Sequence, residues 1–428
     1  MKRIGVITAG FLTLAGCGDG GAPEATLSGA PRVIVQPDII TATPQELLRG
    51  KANGDNQQLI FSRPNMHQLA FFGDLFLSSG LVYYPREAPS LFFDWPNQDI
   101  WTVRTDGTDD HAVVETTANE FVKDASGNIA IYEQGTYALE NGLDHTEFWS
   151  VRDGVQHTLL PIHERFTNYR FMVGARAFFH NEQELFSVNV NGSGLLTHAT
   201  VRFPVTLQAS DSFENTLIFR EYNGDNGRAT LKAVPISGRS TVSLDDGQTY
   251  VAYAGHVGAR VVYQRCTVQV SDPPGFSIAF FQAGPCDVVS VHTNGSAPAV
   301  LASHSANEAV QGLMETHVII RRNLNGNDQL IAVPVTGGPE RLLMTMTDSE
   351  FVNLIAGELI IIGRPSGTWT LDLTGTLKQI GNVQAHSGFM VVGNSFCMNN
   401  RAAAWCMPLD GQSPAVKIAD VGKVVGTL

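Results

Sequence analysis

The chain has 428 residues, and its 41 Asp and Glu outnumber its 28 Lys and Arg, giving a formal net charge of −13. Proteins that bind nucleic acid carry clustered Lys and Arg, so this balance excludes nucleic acid as a partner. Docking on anionic lipid headgroups through protein charge is excluded for the same reason.

The first residues have the pattern of a secretion signal. Two basic residues precede an apolar run over residues 4–16, which is too short to span a bilayer and ends in small residues. The Leu-Ala-Gly-Cys sequence at 14–17 resembles the bacterial lipobox, in which the Cys becomes the first mature residue and carries the lipids. The resemblance implies a signal peptide over 1–16, lipidation of Cys17 and a lipid-anchored protein of the bacterial cell envelope. Gly18 favours the outer membrane, and the periplasmic or surface side stays open. An ordinary signal peptide or a buried N-terminal strand is the alternative.

The stretch after Cys17 is rich in Gly, Pro, Ala and Thr up to residue 56. Apart from a short Val-Ile-Val run at 33–35, such a composition does not bury enough apolar surface to offset chain entropy. We therefore predict a flexible tether over 17–56 and a folded domain over 57–428.

A sequence motif, which we call the phrase, recurs through the folded domain, as in ELFSVNVNGSG (184–194) and DVVSVHTNGS (287–296). Each copy ends in a Gly that follows Asp, Asn, Ser or Thr. The eight glycines are Gly107, Gly154, Gly192, Gly238, Gly295, Gly337, Gly375 and Gly411. Asp-Gly and Asn-Gly are strong signals for two-residue hairpin turns, which need positive φ. The two Asn-Gly-Ser copies fit a glycan acceptor, but they fill the same place as Asp-Gly and Thr-Gly, so we interpret them as turns.

A strand of period two precedes each turn. An aliphatic residue or Met stands four places before the Gly and a small residue five places before it, with Val151 displaced by one place. Another apolar strand lies upstream, as in ELIIIGR (358–364), and a short strand lies downstream, as in LKQIGN (377–382). These are the elements of a propeller blade.

The sequence therefore predicts an all-β fold, a β-propeller of about eight four-stranded blades, with seven as the alternative. Closure must unite the two ends, because an open propeller leaves bare sheet edges, and residues 57–62 and 423–428 are the candidates. The phrase resembles the repeat of TolB-type β-propellers most closely at DIWTVRTDGTDD (99–110). Most copies lack the Ser-Pro-Asp-Gly turn of that family, and the repeat is shared by many functions.

The cysteines fit an oxidising compartment. With Cys17 lipidated, four remain, and each couple falls inside one predicted hairpin. Cys266–Cys286 and Cys397–Cys406 are therefore the predicted disulfides among three possible pairings. Metal-binding thiols are the alternative, although they usually need tighter spacing.

The sequence contains no Gly-x-Ser-x-Gly elbow and no phosphate loop. Oligogalacturonate lyases resemble this repeat class and use His residues on a propeller face with a divalent metal. That resemblance makes His256, His317 and His386 candidates for a ligand face, although no His-x-x-x-His spacing supports them. Trp95, in the aromatic cluster 91–101, is a further candidate, as a platform for a sugar ring or a partner protein. Core packing is the alternative for this cluster.

No cofactor is predicted, and calcium is left open at the oxygen-rich turns 105–111, 221–228 and 323–329, which lack the ligand spacing of an EF-hand. The predicted function is a non-enzymatic scaffold of the cell envelope that binds an envelope protein or a glycan, with membrane attachment through the lipid on Cys17. The alternative is a carbohydrate-active enzyme, a lyase or hydrolase, with its site at the channel mouth. The sequence leaves the partner and the oligomeric state open.

Overall fold

The structure is a computed structural model, and it describes residues 38–42, 46–53, 55–62, 75–88, 97–138, 142–161, 167–181, 183–202, 205–223, 228–238, 240–247, 250–266, 286–303, 307–324, 326–385, 387–400, 403–419 and 423–427. All the regular secondary structure in these ranges is β-strand, and the strands form nine four-stranded antiparallel sheets. The described ranges therefore contain no helix able to cross a membrane. Cys17, Trp95 and His386 lie outside the described residues.

We number the nine sheets as blades 1–9 in chain order. Blade 1 consists of β1 (Asp38–Ala42), β2 (Glu46–Lys51), β3 (Gln58–Ser62) and, from the far end of the chain, β36 (Lys423–Thr427). Each of blades 2–9 is a meander of four consecutive strands. Their first, innermost strands are β4 (Phe76–Ser78), β8 (Asn119–Ser126), β12 (Asn168–Val173), β16 (Val205–Phe213), β20 (Tyr250–Val257), β24 (Asn307–Leu313), β28 (Phe351–Ala356) and β32 (Ser387–Val392).

The second and third strands form the central hairpin of each blade. The second strands are β5 (Leu81–Ala88), β9 (Ile129–Ala138), β13 (Arg176–His180), β17 (Thr216–Asn223), β21 (Arg260–Cys266), β25 (His317–Leu324), β29 (Leu359–Arg364) and β33 (Ser395–Asn400). The third strands are β6 (Asn97–Arg104), β10 (Gly142–Arg152), β14 (Glu184–Asn189), β18 (Ala229–Pro235), β22 (Cys286–His292), β26 (Asn327–Pro334), β30 (Gly367–Asp372) and β34 (Ala403–Pro408). The outermost strands are β7 (His111–Val114), β11 (Val155–Leu160), β15 (Leu196–Thr200), β19 (Val242–Ser243), β23 (Ala299–Ala302), β27 (Arg341–Met346), β31 (Leu377–Gly381) and β35 (Val416–Ala419).

The nine blades form a closed ring, because each contacts the next all the way round. Blade 1 closes it: β36 pairs antiparallel with β1 and lies between β32 of blade 9 and β4 of blade 2. Both predicted closure segments belong to this sheet, 423–428 through its innermost strand and 57–62 through its outermost strand. The all-β propeller prediction is confirmed.

The number of blades is nine rather than about eight, and the propeller includes residues predicted as tether. Strands β1 and β2 lie within 17–56, so the predicted boundary at residue 57 is wrong. The physical reason is a partner distant in sequence: β1 pairs with β36, and Ile40 is fully buried against Val82 and Tyr84 of blade 2. The third strand of blade 1 does not match the phrase, because Gly50 stands where the other copies have an aliphatic residue.

The hydrophobic core is divided among the interfaces between adjacent blades, which we call seams and number by their two blades. In seam 6/7, for example, Val262 and Val288 of blade 6 pack with Val318, Ile320 and Val333 of blade 7. Because neighbours cover both faces of a blade, both faces of its third strand are buried. This is why the aliphatic and the small positions of the phrase are both buried.

The recurring turn is one residue longer than predicted. Gly192 N donates to Asn189 O at 2.8 Å and Asn189 N donates to Ser193 O at 2.9 Å, and in this loop Gly192 has a φ of 77°. This is a three-residue loop with Gly in the left-handed position. Asn191 keeps an ordinary φ and uses its side chain instead, accepting from the Ser193 amide at 3.1 Å and hydroxyl at 2.6 Å. The same glycine hydrogen bond occurs at Gly107, Gly238, Gly295, Gly337, Gly375 and Gly411.

The turn at Asp153 and Gly154 is the exception. Both residues have positive φ, 50° and 76°, and Arg152 pairs directly with Val155. This is the two-residue turn that the sequence predicted everywhere. It explains why Val151 stands one place closer to its glycine than the equivalent residue of the other copies.

The longer turn lets its glycine touch the outermost strand of the preceding blade. A Cβ on Gly192 would lie 2.5 Å from the Thr158 carbonyl oxygen of blade 3, and one on Gly411 would lie 2.7 Å from the Gln379 carbonyl oxygen of blade 8. Glycine is therefore required for its φ and for the space. A Cβ on Gly154 would meet no described atom within 4 Å.

Both predicted disulfides are confirmed. Cys266 bonds Cys286 and Cys397 bonds Cys406, each across directly opposed positions of a second and third strand. The first stands at the two ends of residues 267–285. The second lies in the core of seam 9/1, where the ring closes.

Candidate functional site

The meander gives the ring two unlike faces. The first-to-second and third-to-fourth turns lie on one face and are short, such as 127–128 between β8 and β9. The second-to-third connections and the links between blades lie on the other. Long stretches of sequence separate β3 from β4 and β21 from β22, whose facing ends lie on this side, so we call it the long-connection face. Propeller ligands usually meet such loops, and the titratable groups near this face are of most interest.

Three glutamates stand at the ends of innermost strands that meet the long-connection face. They occur in the segments NEFV (119–122), NEAV (307–310) and SEFV (349–352). Glu120, Glu308 and Glu350 are 0%, 2% and 9% exposed. A buried carboxyl needs a partner or a proton, and the three seams meet this need differently.

In seam 6/7 an arginine supplies the partner. Arg322 Nε donates to Glu308 Oε1 at 2.5 Å, and its two terminal nitrogens donate to the two oxygens of Glu340 at 2.7 and 2.8 Å. Burial raises the pKa of Glu308, and the Arg322 hydrogen bond opposes that rise. The bidentate contact lowers the pKa of Glu340. In the next seam Arg364 forms an ion pair with Glu350, with its Nε 2.6 Å from Oε1.

In seam 2/3 the residue opposite the glutamate is neutral. Gln134 Nε2 donates to Glu120 Oε1 at 3.1 Å, and the Thr116 hydroxyl donates to the same oxygen. The other oxygen, Oε2, has no hydrogen-bond partner among the described residues. Burial raises the pKa of Glu120 to about 7, and the carboxyl of Asp99 from blade 2 adds to the rise. Near neutral pH this carboxyl exchanges a proton, but it does so inside a seam.

Asp99 is itself 3% exposed, and burial raises its pKa. Arg86 stands directly opposite it and lowers that pKa only in part. The Arg86 guanidinium lies 3.7 Å from the ring centre of Trp101. Seam 2/3 thus holds two buried carboxyls beside one arginine that also stacks on an indole.

One serine–histidine pair has the spacing of a nucleophile and its base, but it lies inside blade 4. Ser187 Oγ is 2.8 Å from His198 Nε2 and also accepts from Arg176 Nε at 3.0 Å. Ser187 is 0% exposed. Burial, with a contribution from Arg176, lowers the pKa of His198 to about 4. The pair ties the third and fourth strands together and does not meet solvent.

An open groove of about 310 Å³ lies between the outer edge of blade 6 and blade 7, lined by Val300–Ser303, Arg322, Leu324 and Glu340. Val300 and Leu324 are 54% and 45% exposed, which is unusual for large apolar side chains in this protein. The bidentate Arg322–Glu340 pair forms a charged wall beside them. The groove thus offers apolar surface next to a fixed ion pair.

The structure describes two of the three predicted histidines, His256 and His317, and each contacts a nearby side chain. The His256 ring stacks on Phe213 with ring centres 3.7 Å apart, and His317 Nδ1 lies 2.7 Å from the Thr316 hydroxyl. Both stand at the tight-turn ends of their strands, away from the long-connection face. Within the described ranges there is no group of three or more His, Cys, Asp or Glu able to hold a metal. At the oxygen-rich turn 105–111, Asp106 accepts from the Thr108 amide at 2.9 Å, as a turn-closing side chain does.

No protein-family model and no curated protein matches this sequence. Among solved structures, the chain is similar to Porphyromonas gingivalis dipeptidyl peptidase 4, with a TM-score of 0.46 and 9% identity over 93% of this chain and 60% of that one. It is similar to an oligogalacturonate lyase in complex with manganese, with a TM-score of 0.41 and 10% identity over 77% and 96%. It is also similar to a putative TolB from Agrobacterium tumefaciens, with a TM-score of 0.29 and 13% identity over 49% and 83%. At these values no activity or ligand is transferred, and the propeller assignment rests on the nine-sheet ring itself.

Proposed function

We propose that the protein is a non-enzymatic binding module of the bacterial cell envelope, anchored through Cys17, that holds a partner protein in the groove between blades 6 and 7. The lipobox-like sequence at 14–17 supports the location. The observation that carries the binding role is the groove, where exposed Val300 and Leu324 stand beside the Arg322–Glu340 pair.

The placement of the titratable groups supports binding rather than catalysis. Glu120, Glu308 and Glu350 are enclosed in seams and bonded to neighbouring strands. Ser187 and His198 are enclosed within blade 4. An acid, base or nucleophile must come within hydrogen-bond reach of a substrate, and these groups instead hold strands and blades together.

The groove also indicates the chemistry of its partner. Strand β23 is the outermost strand of blade 6 and has a single neighbour in its sheet, so an extended segment can pair along its free edge. Val300 and Leu324 favour an apolar side chain in that segment. Two carboxylates, Glu308 and Glu340, share one guanidinium there, and the chain carries −13 overall, so a basic residue is favoured next to it.

The test uses the full chain, immobilised and exposed to detergent-solubilised envelope from its own cell. We expect wild-type protein to retain one basic protein in stoichiometric amount, and V300D/L324D to retain at least about tenfold less. Leu195, which is 65% exposed on blade 4, supplies the matched control L195D, which should bind like wild type. Equal retention by all three proteins contradicts the groove. Binding or shortening of envelope polysaccharide without a retained protein favours the carbohydrate-active alternative.

A further inference from the structure

Seam 2/3 differs from seams 6/7 and 7/8 in two independent ways. The first concerns the recurring turn. In the other described copies the turn glycine lies against the outermost strand of the preceding blade. A Cβ added to each of these glycines would lie within 3.5 Å of an atom of that strand. At Gly154 that contact is missing, and the following residue, Val155, is 56% exposed. The two-residue turn therefore leaves blade 3 without this contact to blade 2.

The second difference is electrostatic and appears by comparison with seam 6/7. The two seams carry the same arrangement of four residues. In the first blade an Arg and an Asp form a cross-strand pair, and in the next blade a Glu forms a cross-strand pair with a fourth residue. The sets are Arg86, Asp99, Glu120 and Gln134 in seam 2/3, and Arg265, Asp287, Glu308 and Arg322 in seam 6/7. The single change of charge is Gln134 for Arg322. Seam 2/3 thus lacks the guanidinium that balances the buried glutamate of seam 6/7.

Few cations compensate for this loss. Asp99 on β6 acts on Glu120 from blade 2, while Arg86 on β5 and Glu115 on the link between the blades act on Asp99. On β10, Glu147 acts together with Glu120 on the Tyr132 phenol, whose pKa is raised chiefly by burial. Lys123, on the same strand as Glu120, is held by Glu133 at 2.5 Å. An ionised Glu120 therefore adds a buried negative charge among other carboxylates.

We propose that seam 2/3 is a pH-controlled opening in the ring, which is closed while Glu120 keeps its proton and loosens when Glu120 ionises. The missing glycine contact removes one tie between the two blades, and the missing arginine makes the parting depend on pH. Seams 6/7 and 7/8 stay closed over the same range, because Arg322 and Arg364 balance their glutamates. The inference does not depend on the partner proposed for the groove.

The difference in the pKa of Glu120 between the closed and the opened seam sets the direction and size of the pH effect. Glu120 has a pKa of about 7 in the closed seam against an ordinary 4.5, so its contribution to closure is complete below pH 4.5 and is lost as the pH rises through 7. An opened seam that hydrates the carboxyl restores the ordinary value. The equilibrium constant for opening then rises about 30-fold between pH 5.5 and pH 8.5.

Hydrogen exchange on the full chain tests the proposal at pH 5.5 and pH 8.5, with rates corrected for intrinsic exchange. We expect protection of β7 and β8 to fall about 30-fold relative to β23 and β24. E120Q should abolish the difference, and Q134R should reduce it by supplying the missing guanidinium. R322Q should confer the same pH dependence on seam 6/7.

Two results overturn the proposal: an equal loss of protection at both seams, or a pH dependence at seam 2/3 that persists in E120Q. If R322Q does not fold, E120Q and Q134R still decide the question, because E120Q removes a buried charge and Q134R adds its counterion. Loss of partner binding in V300D/L324D leaves this measurement unaffected, so the two proposals fail independently.

Discussion

The turn glycine provides a stability prediction with a matched control in the same chain. G192A places a methyl group at a φ of 77° and 2.5 Å from the Thr158 carbonyl oxygen of the neighbouring blade. G154A has almost the same φ, 76°, but meets no described atom within 4 Å. The left-handed backbone costs an alanine about 1–2 kcal/mol at either position. Overpacking adds about 1–3 kcal/mol at Gly192, where a strand or blade must move.

We therefore expect the free energy of unfolding to fall by about 2–5 kcal/mol in G192A and about 1–2 kcal/mol in G154A. Urea unfolding followed by fluorescence measures both, and unchanged slopes let the midpoints be compared. G411A, with its Cβ 2.7 Å from the Gln379 carbonyl oxygen, repeats the test in seam 8/9. Equal losses in G192A and G154A would refute the role of the close approach between blades.

Three further predictions concern acid stability, a link between blades and ring closure. The pKa of His198 is about 4 in the folded protein against an ordinary 6.5. Its contribution to folding stability is therefore complete above pH 6.5, and up to about 3 kcal/mol of that stability is lost as the pH falls toward 4. The urea midpoint should consequently change less between pH 7.5 and pH 4.5 in H198Q than in wild type. Tyr253 donates to Asp211 Oδ2 at 2.6 Å across seam 5/6, so Y253F should cost about 1–3 kcal/mol, read as a lower Tm, and an unchanged Tm would contradict it. Deleting residues 423–428 removes the innermost strand of blade 1, and hydrogen exchange should then rise first in β1; uniform exchange across all blades would argue against that closure.

Much of the fold could be predicted because the third strand and its turn are local features. Val188 and Gly192, for example, are specified by a period of two and by one residue of positive φ. Blade 1 could not be predicted in this way, since β1 gains its burial from β36 at the other end of the sequence. The length of the turn was also hidden, because Asn191 satisfies the loop through its side chain rather than by a positive φ.

The buried glutamates show where sequence reasoning ends. The segments at 119–122, 307–310 and 349–352 share a Glu two places before a Val, so the sequence itself carries a signal for these sites. Its meaning depends on the residue opposite, which is Gln134 in one seam and Arg322 in another. Strand register decides that pairing. The predicted histidines, in contrast, were chosen by residue type and distance from a strand, and neither property places them near one another.

The closing strand has a consequence for biosynthesis. β36 follows all the other strands in the chain, so β1 is made long before its inner partner exists. At about 5–20 residues per second, the interval is roughly 20–80 s. Until β36 is in place, any folded part of the ring is an open arc with bare strand edges, a form prone to pairing with other chains. A cell that makes this protein must keep both ends of the arc apart from other chains until the last strand arrives.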